Sequence, residues 1–295
     1  MKAATDLDRW RKPPIQRLLG TATVLTGNHQ NKVWRGITQV PGNVEAGIPT
    51  VIKWIEKKEV VATELACSLA GQAFKLQIPV GCIVLAEPSD LPTLPDRVAQ
   101  NSHKSVICYG SELQWPDDLQ AHPVASNGIE NLVWDSLCKT AQGPNGAAWD
   151  ELVTNEDRHH ENVVFDGKKW WLIDHERSLE TVTQVMQRFT EQTSKQKILD
   201  AQAKQNRLLK EVLNRRPIDH NMNKLPKSWE RMQQRLRWLA SSSEKWKTNI
   251  PEVDSVLMMT SHYLWSIDLR LPTLALHLQK RMISPNNKLQ WDSLS

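Results

Sequence analysis

The chain has 295 residues, a formal charge of +4, 40% hydrophobic residues and 24% charged residues. That balance describes an ordinary folded chain, long enough for one large domain or two lobes, with no low-complexity tract and no internal repeat. No apolar run is long enough to span a bilayer as a helix. The four cysteines (Cys67, Cys82, Cys108, Cys138) are widely spaced and form no C-x-x-C pair. That spacing argues against a zinc site or a disulfide framework and for a reducing compartment. The first residues, Met1 to Asp6, meet acidic character at once, so the expectation is a cytoplasmic protein with no membrane association. Thirteen tryptophans against three phenylalanines and two tyrosines suit core and interface positions better than nucleobase stacking.

Residues 1–19 are charged, are broken by Pro13-Pro14 and carry a short apolar patch at Ile15, Leu18 and Leu19. They read as an N-terminal extension or short packed helix. A strand-rich segment follows, from about Gly20 to Tyr109. Thr21–Leu25 and Lys32–Thr38 are β-branched and apolar runs flanking the turn residues Gly27-Asn28. The loop from Thr26 to Lys32 offers backbone N–H groups together with Thr26, His29, Asn31 and Lys32. With one glycine it is no P-loop, and an anion contact stands beside an ordinary hairpin turn.

A second hairpin turns through Pro41-Gly42-Asn43 to Gly47 and leads into Thr50–Ile55, where Lys53 sits among apolar neighbours. A lysine seldom lies buried without a partner. The partner the sequence offers is Glu64, on a helix read over Lys58–Lys75 with Val61, Leu65, Leu69 and Ala73 as its apolar stripe. The alternative is a snorkelling lysine and a solvated glutamate. Val80–Ala86 and Lys104–Tyr109 read as further strands, separated by an irregular stretch with three prolines, Glu87 to His103. Composition changes at Tyr109–Leu113, so the divisions expected are 1–19, 20–112 and a helical part over 113–295. Helices are read at 129–141 and 147–153, then near 195–214, 227–242, 252–265 and 271–282, punctuated by Pro217, Pro226, Pro251 and Pro272. Residues 195–247 hold 14 Lys and Arg against 5 Asp and Glu. They read either as a solvated face or as a docking surface for an acidic partner or for nucleic acid, although no base-reading motif supports the latter.

The stretch from Asn155 to Glu176 is the most informative. Val163-Val164-Phe165 and Trp170–Ile173 read as two short strands joined at Asp166-Gly167, where glycine tolerates positive φ and the aspartate satisfies local backbone. Such a hairpin brings its ends together, making Asn162 and Asp174 neighbours. An Asn beside an Asp, with Asp157 five residues upstream of the Asn, is the ligand set that phosphoryl transfer needs. Hard oxygens hold Mg²⁺, and a separate carboxylate takes the acceptor proton.

The string Asp157-Arg158-His159-x-x-Asn162, followed by Ile173-Asp174, resembles the catalytic and metal-binding motifs of the phosphatidylinositol 3/4-kinase-like superfamily. With Asn155 included, N-x-D-x-H-x-x-N is similar to the HipA-like serine/threonine kinases. Thr63-Glu64-Leu65-Ala66, Leu69-Ala70 and Ile78-Pro79 also look like that family. The resemblance implies an α+β, bilobal kinase-like fold with ATP and Mg²⁺ as cofactors. Asp157 would be the catalytic aspartate, His159 its helper, and Asn162 and Asp174 the metal ligands. Lys53, oriented by Glu64, would hold the ATP phosphates. The first hairpin, with Asn31 and Lys32, would cover them, and backbone groups at the 109–113 boundary, Gly110 and Glu112 among them, would read the adenine edge. Glu176 to about Arg188 would contain the activation loop, although His175-Glu176 replaces the family's Phe-Gly. The family further implies a protein Ser/Thr acceptor and a growth-regulating, toxin-type role with an antitoxin-like partner.

Three other readings remain. A phosphoinositide or small-molecule kinase shares the Asp, Asn and Asp. Lipid kinases, however, carry a basic activation loop, and Asp174–Glu191 holds Arg177 and Arg188 against several acids. The small-molecule enzymes usually place a His before the catalytic Asp, where Glu156 stands. A kinase-fold pseudoenzyme would bind nucleotide without turnover. A metallohydrolase would gather Asp157, His159, His160, Asp174 and His175.

Overall fold

A computed structural model describes residues 12–25, 31–42, 47–100, 105–114, 127–186, 191–215 and 225–283. The class is α+β as expected, with a strand-rich N-terminal sheet and a helical C-terminal part. Strands β1 (Ile15–Val24), β2 (Lys32–Gln39) and β3 (Ile48–Trp54) pair antiparallel in sequence, and helix α1 (Lys58–Ala73) follows. Strands β4 (Gly81–Ala86) and β5 (Val106–Glu112), with the short helix α2 (Asp96–Ala99) between them, complete the sheet in the order β1-β2-β3-β5-β4.

The sheet closes into a barrel because β1 also pairs parallel with β4, Gln16 opposite Val84. Strand β1 therefore begins at Ile15, inside the stretch read as an extension. The apolar residues Ile15 and Leu18 belong to a barrel stave, not to a helix.

Alternation along β4 explains its continuous apolar run. Cys82, Val84 and Ala86 fill the barrel with Leu18, Trp34, Ile52 and Cys108, while Ile83 and Leu85 pack outward against the helical core. Gly110 is required by the same packing. A Cβ there would meet Val84 at 2.5 Å and the Cys82 sulfur at 2.6 Å. The four cysteines are buried free thiols. Trp34, Trp134, Trp149 and Trp229 are buried core residues, whereas Trp238 is exposed.

The remaining helices are α3 (Asn127–Lys139), α4 (Gln142–Leu152), α5 (Glu180–Met186), α6 (Glu191–Asp200), α7 (Arg207–Arg215), α8 (Leu225–Glu230), α9 (Gln233–Ser243), α10 (Pro251–Arg270) and α11 (Leu274–Ile283). The expected 195–214 helix is thus two helices, broken at 201–206. Helix α1 departs from the amphipathic expectation. It is buried almost all round because the barrel covers one side and α10 the other. One core cluster joins α1 and the outer face of β4 to α4, α7, α9 and α10. No helix among the described residues is long and apolar enough to cross a membrane.

Between α4 and α5 lies the hairpin of β6 (Val163–Phe165) and β7 (Trp170–Leu172), with Val163 opposite Leu172. Its turn forms as the sequence reads. Gly167 has φ +90°, and Asp166 Oδ1 accepts the backbone N–H groups of Lys168 and Lys169 at 2.8 and 2.7 Å. Two anchors position the hairpin. Leu172 N–H donates to the Gln77 carbonyl at 2.9 Å, which ties it to the α1–β4 connection. Upstream, the buried Arg270 guanidinium donates to the carbonyls of Leu152 (2.7 Å), Ile198 (2.6 Å) and Glu151 (3.3 Å). That caps the end of α4, from which the 155–162 loop departs.

Candidate active site

A cleft opens where the barrel meets the β6–β7 hairpin. Val51, Lys53, Tyr109, Ser111 and Glu112 form its barrel wall. Leu172, Ile173, Asp174 and His175 form the opposite wall, and Ile78, Pro79 and Glu64 lie between them. Residue alternation on β5 sends Tyr109 and Ser111 toward the cleft and turns Cys108 and Gly110 into the barrel. Of the two β5 residues proposed to face adenine, Glu112 lines the cleft. The Glu112 N–H is taken by the Val80 carbonyl at 3.1 Å. The segment beyond, 115–126, lies outside the described residues.

Lys53 is the centre of charge in this cleft. Its Nζ lies 3.2 Å from Glu64 Oε1, 3.3 Å from Asp174 Oδ2 and 3.1 Å from Glu176 Oε1. Helix α1 thus supplies the partner that the sequence proposed for the strand lysine. Burial works against the Lys53 charge, but the carboxylates of Glu64, Asp174 and Glu176 outweigh it and raise its pKa. Burial also pushes Glu64 up, to about 7, with the Lys53 cation pulling it back. Glu64 is held from its other oxygen by the His175 backbone N–H at 3.0 Å. Asp174 has φ +57°, a left-handed conformation that aspartate tolerates better than most residues. Desolvation opposes its charge, yet Lys53 prevails and lowers its pKa.

Asn162 is placed beside Asp174 as the hairpin argument requires, since Ile173 N–H donates to the Asn162 carbonyl at 3.1 Å. The Asn162 side-chain amide donates to the Asp157 carbonyl at 2.7 Å, closing the loop upon itself. The Asp157 carboxylate stays half-exposed, 3.8 Å from the Arg177 guanidinium. His159 contacts Glu161 at 3.6 Å. Asn31 donates to Glu176 Oε2 at 2.5 Å, while Lys32 opens β2 as an exposed residue opposite Trp54. Thr26 and His29 of the same loop lie outside the described residues.

Sequence reasoning missed the network beneath this surface. Arg158, almost fully buried, makes two 3.1 Å contacts with the buried Asp150 carboxylate. It also donates to the carbonyls of Asn162 (2.8 Å) and Ile173 (2.5 Å). One guanidinium thereby fixes both ends of the hairpin, the positions that carry Asn162 and Asp174. Burial pushes Asp150 up, with Arg158 opposing it. Asn155 donates to Asp150 at 3.1 Å and accepts the Asp157 N–H at 3.0 Å. The Asn155 of the motif is therefore a brace for Asp157. Asp150 carries no such signal in sequence, because it looks like any helical aspartate.

His175 is also structural. Its Nε2 receives the Trp149 indole N–H at 3.1 Å and faces an Arg158 N–H at 3.1 Å. Two donors converging on one ring nitrogen require the neutral ring with the proton on Nδ1. Burial, then Arg158 and Lys53, drive its pKa well below the ordinary histidine value. This occupied nitrogen removes His175 from the metallohydrolase set. Among the described residues, the His, Cys, Asp and Glu group whose ligand atoms come close enough for a metal is Glu64, Asp174 and Glu176, within 4.8 Å of one another, and Lys53 contacts all three.

The segment expected to contain the activation loop, Glu176 to about Arg188, begins as a turn and a short helix. Residues 176–179 form a tight turn, Leu179 N–H donates to the Val153 carbonyl at 2.8 Å, and α5 begins at Glu180 with Val182 and Val185 in the core. The apolar spacing of Leu179, Val182 and Val185 is helical and makes this a short, anchored connection. Residues 187–190 lie outside the described residues.

No protein-family model and no curated protein matches this chain. Among solved structures it is similar to the crystal structure of a proinflammatory kinase from Helicobacter pylori, CtkA. The similarity has a TM-score of 0.46 at 11% identity, and covers 90% of this chain and 99% of that one. Functional assignment rests on the geometry of the cleft.

Proposed function

We propose that this chain is an ATP- and Mg²⁺-dependent phosphotransferase of bilobal, protein-kinase-like build, and that its acceptor is a protein Ser/Thr hydroxyl. The observation that carries the reading is Lys53, held 3.2 Å from the helix carboxylate Glu64 and 3.3 Å from Asp174 across the cleft. A cation oriented from behind by a buried acid, facing a second acid on the opposite wall, is the arrangement that positions and neutralises nucleotide phosphates. The apolar residues Val51, Ile78, Leu172 and Ile173, from both walls, suit a flat purine ring.

The half-exposed Asp174 carboxylate lines the cleft and fits a hydrated divalent cation, and the adjacent Asn162, buried beneath it, is the second proposed oxygen ligand. Bound there, Mg²⁺ would neutralise charge on the phosphate oxygens. Lys53 hydrogen-bonds the phosphates and balances charge as it develops. Asp157, braced by Asn155, receives the proton of the acceptor hydroxyl while that oxygen bonds to the γ-phosphorus. The bond to the bridging oxygen breaks, and ADP leaves. Asp157 and Arg177 are both accessible, which suits a macromolecular acceptor. The N-x-D-x-H-x-x-N string supports a HipA-like, growth-regulating kinase with an antitoxin-like partner.

Incubation with γ-labelled ATP and Mg²⁺, alone and with cell lysate, beside Asp157→Ala and Asp174→Asn, tests the reading. A labelled protein band lost in both variants supports it. Label confined to lipid or small-molecule fractions moves the acceptor. ATP binding without any transfer replaces it with the pseudoenzyme.

A further inference from the structure

Lys53 has three N–H donors, and three carboxylates surround its Nζ at 3.1 to 3.3 Å. All three acids lie within ion-pair distance of the cation, and Glu64 and Glu176 accept hydrogen bonds from it, so an incoming phosphate must compete with them for its N–H donors. Two of the three acids are fixed. Glu64 is buried and held by the His175 N–H at 3.0 Å. Asp174 sits on a backbone braced through Arg158 at Ile173. Glu176 is the third, and it is different in kind. It lies just beyond the hairpin on a turn, with its side chain 16% exposed. Its second oxygen accepts the Asn31 amide at 2.5 Å. A single carboxylate thus bridges a donor from the barrel wall and a donor from the first hairpin loop.

We infer that Glu176 is an internal stand-in for a nucleotide phosphate, and that it sets the affinity of the site by competing for Lys53 and Asn31. This rests on the phosphotransferase reading of the cleft. A carboxylate and a phosphate present the same chemistry to these two groups, which are anionic oxygens accepting from an ammonium and an amide. The turn at 176–179 is anchored through Leu179, so the exchange is a rotation of the Glu176 side chain, not the opening of a loop. A glutamine at 176 has one neutral acceptor oxygen where the carboxylate has two charged ones, so it serves Lys53 or Asn31 but not both and holds either less tightly. It also lowers the negative charge that an incoming polyphosphate meets. Glu176 is therefore a residue that weakens ground-state binding, in contrast to Asp174 on the same wall.

The test is equilibrium titration of wild type and Glu176→Gln with ATP and with inorganic tripolyphosphate, each with and without Mg²⁺. Tryptophan fluorescence supplies the signal. The glutamine is isosteric and partly exposed, and matched thermal melting verifies its fold. Expected is binding about tenfold tighter in Glu176→Gln for both polyanions, the size of one competing charge-assisted hydrogen bond. Equal or weaker binding overturns the stand-in, and weaker binding only with Mg²⁺ would make Glu176 a metal ligand instead. Tighter tripolyphosphate binding without ATP binding supports the stand-in while the nucleotide reading fails. Labelled-phosphate transfer by wild type with unchanged affinity in the variant leaves the nucleotide reading intact and overturns the stand-in. Absence of binding by either protein to either polyanion overturns both.

Discussion

Two cations organise the cleft, and they are served in opposite ways. Arg158 lies in a dry site with one carboxylate, Asp150, two backbone carbonyls and the neutral ring of His175. Each partner is buried and fixed, and the charges balance. Lys53, with its side chain 14% exposed, faces three carboxylates at 3.1 to 3.3 Å, so its neighbourhood carries excess negative charge. A balanced buried pair specifies a conformation, whereas an unbalanced, half-open one is poised to take up further cations or to exchange a ligand. The contrast makes Arg158 a shaping residue and Lys53 the residue on which the proposed chemistry depends.

Breaking the Arg158 site should give the largest loss of stability. Asp150→Ala strands a buried guanidinium, and destabilisation of about 3–5 kcal/mol is expected from urea unfolding. A loss below about 1 kcal/mol would mean that water reaches Arg158 and that the contrast with Lys53 is wrong. Lys53→Met should behave in the reverse manner. On the proposed phosphotransferase reading, transfer should fall by about 10²–10³-fold, while the melting temperature moves far less than in Asp150→Ala. A collapse in stability together with activity would make Lys53 structural as well.

His175→Leu removes the acceptor shared by Trp149 and Arg158. Leaving two buried donors unpaired costs about 1–3 kcal/mol. Near-UV circular dichroism of Trp149 should change with it, and an unchanged spectrum would contradict the shared acceptor.

The comparison also predicts a pH dependence. His175 and His277 are both held below the ordinary value of 6.5 by burial first, then by neighbouring cations, His277 to about 4. The unfolded chain binds these protons before the folded one does. Stability contributed by the neutral rings is therefore full above 6.5 and declines as pH falls from about 6.5 toward 4. Burial raises Glu64 to about 7, which works in the opposite direction over this window, so the histidine contribution is read as a difference: the urea midpoint of wild type minus that of His277→Gln should shrink from pH 7.5 to 6 to 5. The smallest effect is expected at Lys204, where an exposed ammonium lies 4.0 Å from Glu156. Lys204→Ala should change stability by less than about 0.5 kcal/mol.

How much of this was legible beforehand follows from the reach of each interaction. The β6–β7 hairpin is local, and its turn chemistry at Asp166-Gly167 and the juxtaposition of Asn162 with Asp174 could be read from a stretch of about 20 residues. The pairing of Lys53 with Glu64 was legible for a different reason. A lysine in an apolar strand needs an acid, and the next helix offers one at the correct face. Barrel closure was not legible, because nothing local distinguishes a strand at Ile15–Val24 from a packed extension until β4 lies beside it. The anchored turn at 176–179 was not legible either, since the anchor of Leu179 is the carbonyl of Val153 on another segment. The amphipathic reading of α1 failed because its second cover, α10, follows it by nearly 200 residues.

The sequence by itself determined the class of elements, the hairpin that joins Asn162 to Asp174, and the residue types able to handle phosphate. Those depend on backbone preferences and on neighbours within one or two turns. Only the tertiary structure decided that Arg158 is a brace, that His175 is a neutral acceptor, and that Glu176 accepts a hydrogen bond from Lys53. Their roles depend on burial and on partners brought from the first hairpin loop, β3, α1 and α4, and a charged side chain acquires its function from what surrounds it when water is excluded.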